Sequence, residues 1–533
     1  MSALLGTIWM PSLADLKLLG PLWILAGTIV GVLFAALLVG RSYRVAGGVA
    51  TLGGILTAAL CWRMFSQLSG PFAGIAPSAS GPMLIVDQFS LFFIFLISVF
   101  MVLITGMWFV GLSARPLDDM GHRRDAVEFF VLFVGSAFGM SLMVSTANLL
   151  MIVLAVESAS LPSYALAGFR KKHRLGAEAS IKYVLFGAVT SAIMIYGASL
   201  LYGQFHTLDM GTLAASLAHR GITVTSGVAL FAFMVGVAFK VSAVPFHFWC
   251  PDVFEGASIE VTTWLSVASK AAGLGLMLRI VSILSGSLES MDAMRWVAHA
   301  VAVMAAITCT VGNFSAFRQT NMKRLLAFSS IAHAGYMLMA VAILWRPDLA
   351  NMEVHPGFSV VVAYIAVYML MNLCAFGVVA MVYWSTGKET LDAFNGLGWR
   401  NPVLGVAMAT ALFSLVGLPP LGGFIVKLYL LYALYDAGLV WLVFVAVFNT
   451  LLSLYYYARI VYAMYFVQGQ DAPVRPPAIG QFAVTLCAAG ILLAGTLWAG
   501  PLKRFADARS RDVYTAGQRT AALKVADVAD ARH

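Results

Sequence analysis

Residues Phe239 to Glu255 read Phe-Lys-Val-Ser-Ala-Val-Pro-Phe-His-Phe-Trp-Cys-Pro-Asp-Val-Phe-Glu and close an apolar segment of membrane-spanning length. The stretch contains Lys240, Pro245 and His247, residue types that most membrane helices exclude. A charge near the bilayer centre costs at least about 2.5 to 3.5 kcal/mol, so an ionisable residue there indicates a functional site. Pro245 leaves the carbonyl of Val241 without its helical partner, and inside a bilayer that group must be satisfied by protein or water. The stretch therefore predicts a broken helix that lines a wet, protein-enclosed interior.

The composition is typical of a polytopic membrane protein. Of the 533 residues, 61% are hydrophobic and 11% are charged, and the mean hydropathy of +0.89 excludes a soluble multidomain protein. The basic residues that give a net charge of +9 lie in short clusters between apolar runs, so they indicate membrane topology and not nucleic-acid binding. Neither a disulfide framework nor a metal cluster is expected, because the five cysteines occur singly, at Cys61, Cys250, Cys309, Cys374 and Cys487.

Apolar runs of about 20 residues predict an all-α fold with about fourteen transmembrane helices. The connections after odd-numbered spans carry roughly three times as many Lys and Arg as those on the other face, which places them in the cytoplasm and both termini on the periplasmic side. The basic tail from Pro501 to His533 opposes this assignment, because by the same rule its Lys and Arg residues would place the C-terminus in the cytoplasm. The number of spans would then be odd. The predicted spans are 18–40, 45–66, 88–112, 126–146, 148–168, 179–203, 225–247, 257–284, 293–315, 321–345, 357–384, 402–435, 438–467 and 478–500.

Spans 4 to 8 and spans 9 to 13 show a weak internal symmetry. The fourth member of each five-helix set is interrupted by proline near a lysine, with Lys240 before Pro245 in the first set and Pro419-Pro420 before Lys427 in the second. Paired interrupted helices indicate the working site of an inverted-repeat transporter. The sequence thus predicts three N-terminal helices in 1–125, a first inverted repeat in 126–285, a second in 290–467, and a last helix with the basic tail in 468–533.

Glu157 lies in the middle of span 5, and two interpretations of it are open. Burial could keep its carboxyl neutral and hydrogen-bonded to a neighbouring helix, or Glu157 could pair with Lys240. A pair would hold both groups ionised, and its separation would let the lysine release a proton. In the second interpretation the pair is a switch for proton movement.

Three other lysines of the predicted spans are candidates for function. Lys270 is near the middle of span 8 and Lys427 follows the double proline, too deep for the ammonium groups to reach a headgroup easily. We therefore predict that both carry protons, as Lys240 does, with snorkelling as the alternative. Lys182 lies near the start of span 6, where snorkelling and a role beside Glu157 are equally compatible with the sequence.

His247 and His333 are neutral enough near pH 7 to be tolerated inside a membrane, and each can pass a proton between its ring nitrogens. Ser329, Ser330 and Tyr336 flank His333 with hydroxyl groups that can order water. A histidine satisfied within the core is the alternative interpretation. The surroundings favour a relay role for both residues.

Other charged residues are predicted to be structural. Asp252 and Glu255 follow the break and are expected to cap helix N-termini. Arg279 and Arg459 lie near span ends and are expected to anchor them, while the basic patch at 318–324 marks a cytoplasmic boundary. No phosphate loop, nucleophile constellation or zinc-ligand spacing occurs in the sequence, so the chemistry that these residues can support is proton movement.

Five motifs together resemble the antiporter-like membrane subunits of respiratory complex I, which is an NADH-quinone oxidoreductase, and of multisubunit sodium/proton antiporters. The resemblance covers roughly 87–466. Within the family the chain is similar to the N-type subunits. Val156 lies where the L and M types usually have tryptophan, and Lys427 lies where the M type has glutamate. The motifs are Glu157 with 161–166, the stretch 239–252, Lys270-Ala271-Ala272, the run 318–336, and 417–424 with Lys427.

The resemblance implies proton translocation in a bacterial inner membrane, driven by quinone reduction in other subunits. It implies no cofactor in this chain, with NADH, FMN, iron-sulfur clusters and quinone held elsewhere in the complex. Neighbouring antiporter-like and small membrane subunits, together with the lipid bilayer, are the implied partners. By position, Glu157 and Lys240 are the coupled pair, Lys270 is the central relay, and Lys427 is its other terminus.

One departure from the family pattern lies beside the opening stretch. The family usually continues Ala-Pro-Thr-Pro after Glu255-Gly256, whereas this chain has Ala257-Ser258-Ile259-Glu260. Loss of the prolines makes the start of span 8 less rigid. Glu260 adds a carboxyl that could alter proton access or face a neighbouring subunit.

The predicted function is proton translocation along a mid-membrane line of Glu157, Lys240, Lys270, His333 and Lys427, with His247 and Lys182 as less central members. The same motifs would serve a cation/proton (Na⁺/H⁺) antiporter. A third possibility is a structural subunit whose buried charges specify packing.

Overall fold

The computed structural model describes residues 13–67, 73–75, 83–114, 125–170, 173–285, 291–344, 356–469, 474 and 476–510, and this part of the chain is almost entirely helical. Residues 171 and 172, in the basic run 170–174, and residues 511–533 of the basic tail lie outside the described residues. The helices are α1 (Leu13–Leu18), α2 (Gly20–Val39), α3 (Tyr43–Gln67), α4 (Gln88–Ala114), α5 (Ala126–Val144), α6 (Leu149–Ala167), α7 (Arg174–Phe205), α8 (Met210–Arg220), α9 (Val224–Val241), α10 (Trp249–Gly256), α11 (Ile259–Trp264), α12 (Lys270–Ser285), α13 (Met291–Ala316), α14 (Met322–Ile343), α15 (Pro356–Thr386), α16 (Leu397–Arg400), α17 (Pro402–Val416), α18 (Gly422–Asp436), α19 (Val440–Phe466), α20 (Ala478–Gly495) and α21 (499–510).

Three shorter elements complete the described fold. A π-helical turn, Leu265–Ser269, joins α11 to α12, and a 3₁₀ turn, Leu391–Phe394, precedes α16. Strands β1 (Ala73–Ile75) and β2 (Leu84–Val86) form an antiparallel hairpin between α3 and α4, in which Gly74 is opposite Ile85. The all-α prediction is therefore confirmed, with one small hairpin added.

Thirteen helical segments in the described ranges are long and apolar enough to cross a membrane. They are α2 to α7, α9, α11 with α12 as one segment, α13 to α15, α19 and α20, and they match thirteen of the fourteen predicted spans. The remaining predicted span, 402–435, is divided into α17 and α18. Each has 15 residues, which gives about 22 Å of helix against roughly 30 Å of hydrocarbon.

Both predicted interruptions occur at the predicted prolines. Ser242, which caps the end of α9, has a φ of 64° in the left-handed region, and Gly417, which caps the end of α17, has a φ of 91°. The Val244-Pro245 and Pro419-Pro420 peptide bonds that follow are both cis. The inverted relationship between the two five-helix sets remains a prediction.

Burial separates the central helices from the peripheral ones. The apolar windows of α11–α12 and α14 are completely buried, and that of α15 is 83% buried, whereas α2, α7, α19 and α20 bury a third or less. Helix α14 packs against α10, α13 and α15. The helices that carry Lys270 and His333 therefore lie at the centre of the bundle.

The first part of the basic tail packs back onto the bundle as α21. Arg509 lies over the Phe65 ring, 4.1 Å from its centroid, and donates a hydrogen bond to Gln88. Phe505 makes an edge-to-face contact with Phe92 at 5.9 Å. These contacts tie the end of the described chain to α3 and α4.

Arg279 and Asp87 form a buried ion pair between α12 and the start of α4. The guanidinium donates to both carboxylate oxygens at 3.0 and 2.8 Å, and its Nε donates to Val144 O at 2.8 Å. We expect Arg279→Met to lower the free energy of unfolding by about 3 to 5 kcal/mol, because it leaves the Asp87 carboxylate buried without its partner. Thermal stability of the purified complex measures this. The control is Arg279→Met with Asp87→Asn, which should recover most of the loss; no recovery would contradict the assignment.

Candidate functional site

The break after α9 fixes the position of Lys240. Lys240 is in the last turn of α9, is 1% exposed, and its Nζ has no hydrogen-bond partner among the described residues. Trp249 of α10 donates its indole N–H to Phe239 O at 3.0 Å, and Thr308 of α13 accepts from Val244 N at 3.0 Å. These two bonds hold the broken segment in place and leave the ammonium group facing the interior.

Glu157 is the charged neighbour of Lys240. It lies one turn and a half before Pro162 in α6, is half-buried, and accepts a hydrogen bond from Ser191 Oγ of α7. It acts electrostatically on Lys240, but Lys240 Nζ makes no hydrogen bond to it or to any other described residue. The predicted pair is therefore brought together and is not closed into an ion pair.

Several polar atoms around Lys240 are buried without a hydrogen-bond partner in the described part of the chain. Tyr164 and Tyr183 have ring centroids 4.6 Å apart, and Tyr183 stacks on Trp249 at 4.4 Å. Buried polar groups are usually satisfied by protein or by ordered water, so this region has the character of a hydrated interior. The atoms are Tyr164 Oη, Tyr183 Oη, Lys240 Nζ, Ser242 Oγ, His247 Nδ1 and Ser269 Oγ.

Lys270 lies on the helix next to Lys240. It begins α12 directly after the π-helical turn and is fully buried. An ideal Cβ placed on Gly273 would lie 3.2 Å from Lys240 Cβ, so α9 and α12 are in close contact there. Lys270 Nζ lies 3.8 Å from Cys250 Sγ and 5.1 Å from the centroid of the Phe254 ring, both on α10.

The second interrupted helix supplies Lys427. Its Nζ donates to Leu415 O at 3.0 Å and to Val416 O at 2.8 Å, the carbonyls at the end of α17. It also lies 4.4 Å from the centroid of the Tyr336 ring of α14. The last carbonyls of α17, which the break leaves without helical N–H partners, thus bind the lysine. The helix dipole favours a cation at this end.

His333 connects the second site to a group of buried hydroxyls. Lys427 acts on it electrostatically, and His333 Nδ1 lies 2.8 Å from Tyr364 Oη. The Tyr368 ring is 5.3 Å away, and its hydroxyl donates to Ser330 Oγ at 2.9 Å. Tyr368 also lies within electrostatic range of Cys250, the neighbour of Lys270. Polar groups therefore follow one another from Lys270 to Lys427.

Tyr364 and Tyr368 are site residues that the sequence analysis missed. Both lie on α15, whose sequence is an almost uniform apolar span, and no charge marks them. Their spacing of four residues places both hydroxyls on one face of a helix. That spacing is the one signal in the sequence that could have found them.

Lys182 lies outside this line of residues. Its Nζ binds Asp252 Oδ2 and Glu178 Oε1, each at 2.7 Å, at a partly exposed position. Ser191, the residue that binds Glu157, is nine residues farther along α7, about 13 Å of helix rise. The structure therefore places Lys182 in a surface cluster and not beside Glu157.

The capping role predicted for Asp252 and Glu255 is wrong. Helices α10 and α11 have no side-chain cap, and both carboxylates instead accept hydrogen bonds from Arg324 of α14, at 2.6 and 2.7 Å. Partial burial would raise the pKa of Asp252, but the bonds from Lys182 and Arg324 outweigh it and hold that pKa below its ordinary value. These charges line a cavity of about 330 Å³.

His247 is buried beside Phe248, with the ring centroids 4.5 Å apart, in the segment between α9 and α10. Within the described residues, no group of three or more His, Cys, Asp or Glu side chains could hold a metal ion. The arrangement consists of titratable side chains and hydroxyls, and the chemistry that it can perform is proton transfer.

The chain is similar to known membrane proteins. The family described as NADH:quinone oxidoreductase/Mrp antiporter, TM matches residues 146–453. NADH-quinone oxidoreductase subunit N of Anaeromyxobacter sp. (strain Fw109-5) is 39% identical, over 80% of this chain and 84% of that protein. Subunit N of Coxiella burnetii (strain RSA 493 / Nine Mile phase I) is 34% identical, over 87% of this chain and 92% of its own.

Solved structures share the fold. A chain of respiratory complex I from Thermus thermophilus, with bound aureothin, has a TM-score of 0.74 and 30% identity, and the match covers 92% of this chain and 99% of that one. A chain of the Mrp complex from Dietzia sp. DQ12-45-1b has a TM-score of 0.79 at 20% identity, with coverage of 94% and 99%. The second likeness concerns the fold alone.

Proposed function

The chain belongs to the NADH:quinone oxidoreductase/Mrp antiporter family of membrane subunits, and on that premise we propose that it is the N-type proton-translocating membrane subunit of an NADH-quinone oxidoreductase. Relatives at 34 to 40% identity carry the name subunit N. The antiporter alternative has no comparable support, because the Mrp likeness lies at 20% identity.

The observation that carries this proposal is the hydrated character of the interior around Lys240 and its continuation toward Lys427. Unpartnered buried polar atoms surround Lys240. From there Cys250 neighbours Lys270, Tyr368 neighbours Cys250, and His333 lies among Tyr364, Tyr368 and Lys427. A purely structural set of buried charges would need partners at every member, since an unpaired buried charge is costly.

Protons move along this line through the lysines, Glu157 and His333. A lysine carries a proton as ammonium and releases it as a neutral amine. The Glu157 carboxylate favours the charged form of Lys240, so a change in their separation alters how readily Lys240 gives up its proton. Lys270 receives protons at the centre, and His333 with its tyrosine hydroxyls passes them to Lys427. His247, beside the break, provides access from Lys240 toward water.

The wider setting follows from the same proposal. This chain binds no cofactor, and quinone reduction takes place in other subunits of the complex. It lies in the bacterial inner membrane against neighbouring antiporter-like and small membrane subunits. Both termini are on the periplasmic side. The exposed apolar faces of α2, α7, α19 and α20 provide the surfaces for lipid and for those neighbours.

Purification and reconstitution test the proposal. We expect an affinity tag on this chain to co-purify an enzyme that reduces quinone with NADH. In proteoliposomes, NADH should drive acidification of the lumen at the same rate in sodium-free and sodium-containing buffer. Lys388→Met, at an exposed loop residue, is the control and should leave the rate unchanged. A tagged chain that exchanges Na⁺ for H⁺ without NADH-oxidising subunits would overturn the proposal in favour of an antiporter.

A further inference from the structure

Glu260, the carboxyl that departs from the family pattern, is buried in the bundle. It lies in the first turn of α11 and is 1% exposed, so it does not face a neighbouring subunit. An ideal Cβ on Gly111 of α4 would lie 3.0 Å from Glu260 Oε1 and 2.6 Å from the Trp384 ring. Because Gly111 has no side chain, the Glu260 carboxyl and the Trp384 indole can occupy this space.

Glu260 belongs to a group of four charges that reaches the surface. Lys323 of α14 is buried, and its Nζ donates to Ala257 O and pairs with Glu389 Oε1, both at 2.9 Å. Glu260 and Arg170 also act electrostatically on Lys323. The side chain of Glu389 is 17% exposed. Two acids and two bases thus connect a buried carboxyl to a partly exposed one, and the location of Lys323 at a cytoplasmic boundary remains a prediction.

Hydroxyl side chains occur at every third residue between Glu260 and Lys270. They belong to Thr263, Ser266 and Ser269, which are all buried; Thr263 Oγ1 donates to Ile259 O at 2.6 Å and Ser266 Oγ donates to Thr263 O at 2.7 Å, and a passing proton would use their lone pairs. Ser269 Oγ makes no hydrogen bond of ordinary geometry among the described residues, has the Tyr183 hydroxyl as its neighbour, and belongs to the residue directly before Lys270. The three hydroxyls divide the ten-residue interval from Glu260 to Lys270 into short steps that ordered water can bridge.

We propose that Glu260 is a proton-carrying residue that connects the Glu389–Lys323 surface group to Lys270, an assignment that rests on the proposed function. A proton from water at Glu389 passes to the Glu260 carboxylate, which becomes the neutral acid. It then passes along the Thr263–Ser269 hydroxyls to a neutral Lys270 amine, which becomes the ammonium, and Glu260 returns to the carboxylate. Each transfer conserves charge and needs no co-reactant. Lys323 is a positively charged neighbour of the Glu260 carboxylate.

The rival explanation is that Glu260 is a static counter-charge for Lys323. The two explanations differ in what the double variant Glu260→Gln with Lys323→Met does. Removing both members of a buried charge pair is often neutral for stability. If Glu260 only neutralises Lys323, the double variant should pump normally, because the charge to be neutralised is gone. If Glu260 carries protons, the double variant should stay slow, because the carrier is still absent.

The experiment uses the assembled complex in proteoliposomes, with Glu260→Gln, Glu260→Asp, the double variant and Lys270→Met measured in parallel. We expect Glu260→Gln to slow NADH-driven proton pumping by about tenfold or more. Glu260→Asp should retain most of the wild-type rate, and the double variant should assemble and stay slow. The double variant removes one acid and one base, and the Glu389 carboxylate that loses Lys323 is partly exposed and can be solvated, so it gives a result even if Glu260→Gln does not assemble.

Two outcomes overturn the Glu260 assignment while Lys270→Met is inactive. One is wild-type pumping by Glu260→Gln, and the other is wild-type pumping by the double variant, which identifies a static counter-charge. Wild-type pumping by Lys270→Met is a different failure, because it removes the proposed relay itself and the Glu260 assignment with it.

Discussion

Lys270→Met is expected to abolish NADH-driven proton pumping while the complex still assembles. Lys270 is fully buried at the start of α12, next to the helix that carries Lys240 and beside Cys250. In the proposed relay Lys270 lies between the lysines of the two interrupted helices. No other lysine of the relay could carry the proton at this position. Loss of a positioned proton-transfer group lowers rates by about 10² to 10⁴-fold. Fluorescence quenching of a pH probe in proteoliposomes, together with the rate of quinone reduction, measures the effect.

Lys270→Arg separates a proton carrier from a fixed charge at the same place. Arginine keeps the positive charge but is not deprotonated in proteins. We therefore expect Lys270→Arg to pump as poorly as Lys270→Met. The matched control is Lys388→Met, which removes an exposed lysine. Wild-type pumping by Lys270→Arg would mean that only the charge matters, and the relay assignment would be wrong.

The interruptions of the membrane helices could be predicted from the sequence because proline acts locally. Pro245 and the Pro419-Pro420 pair lack the N–H that a continuing helix needs, and α9 and α17 end a few residues before them. Lys240, Lys270 and Lys427 could be identified for a similar reason. A charge in an apolar run is unusual wherever the helix packs.

The partners of these charges could not be predicted, because they depend on how helices pack. Arg324 of α14 binds Asp252 and Glu255 of α10, about 70 residues away in the chain. Helices that are apolar on all sides give no stripe from which the facing residues could be inferred. The sequence therefore indicated a cap for Asp252 and left Lys182 open between snorkelling and a position beside Glu157, whereas the structure joins Asp252 and Lys182 to each other.

The central position of α11–α12 and α14 could not be predicted from hydropathy alone. Nothing in their hydropathy separates them from α7 or α20, which lie at the periphery with similar mean hydropathy. What distinguishes them is the polar content of their buried surface, with Lys270 and the Thr263–Ser269 hydroxyls on one and His333 on the other. Buried polar residues in a membrane protein face the bundle interior, because hydrocarbon cannot satisfy them.

Glu157→Gln and Lys240→Met are expected to impair pumping to a similar extent, and the double variant no more than either. The two side chains are electrostatic neighbours without a direct contact, and Lys240 Nζ has no hydrogen-bond partner in the described ranges. Residues that act as one unit in a reaction show this non-additivity. Each single variant should lose about tenfold or more of the pumping rate.

Stability distinguishes this coupled pair from a structural ion pair. A closed buried pair such as Arg279–Asp87 loses stability when one partner is removed and recovers when both are. For Glu157 and Lys240 we expect the reverse order of effects, with small changes in thermal stability and large changes in pumping. Ser191→Ala, which removes the hydrogen bond to Glu157 and no charge, is the control and should slow pumping less than Glu157→Gln. A double variant that restores wild-type pumping would show that Glu157 only neutralises Lys240, and the switch would then have to lie elsewhere along the line to Lys427.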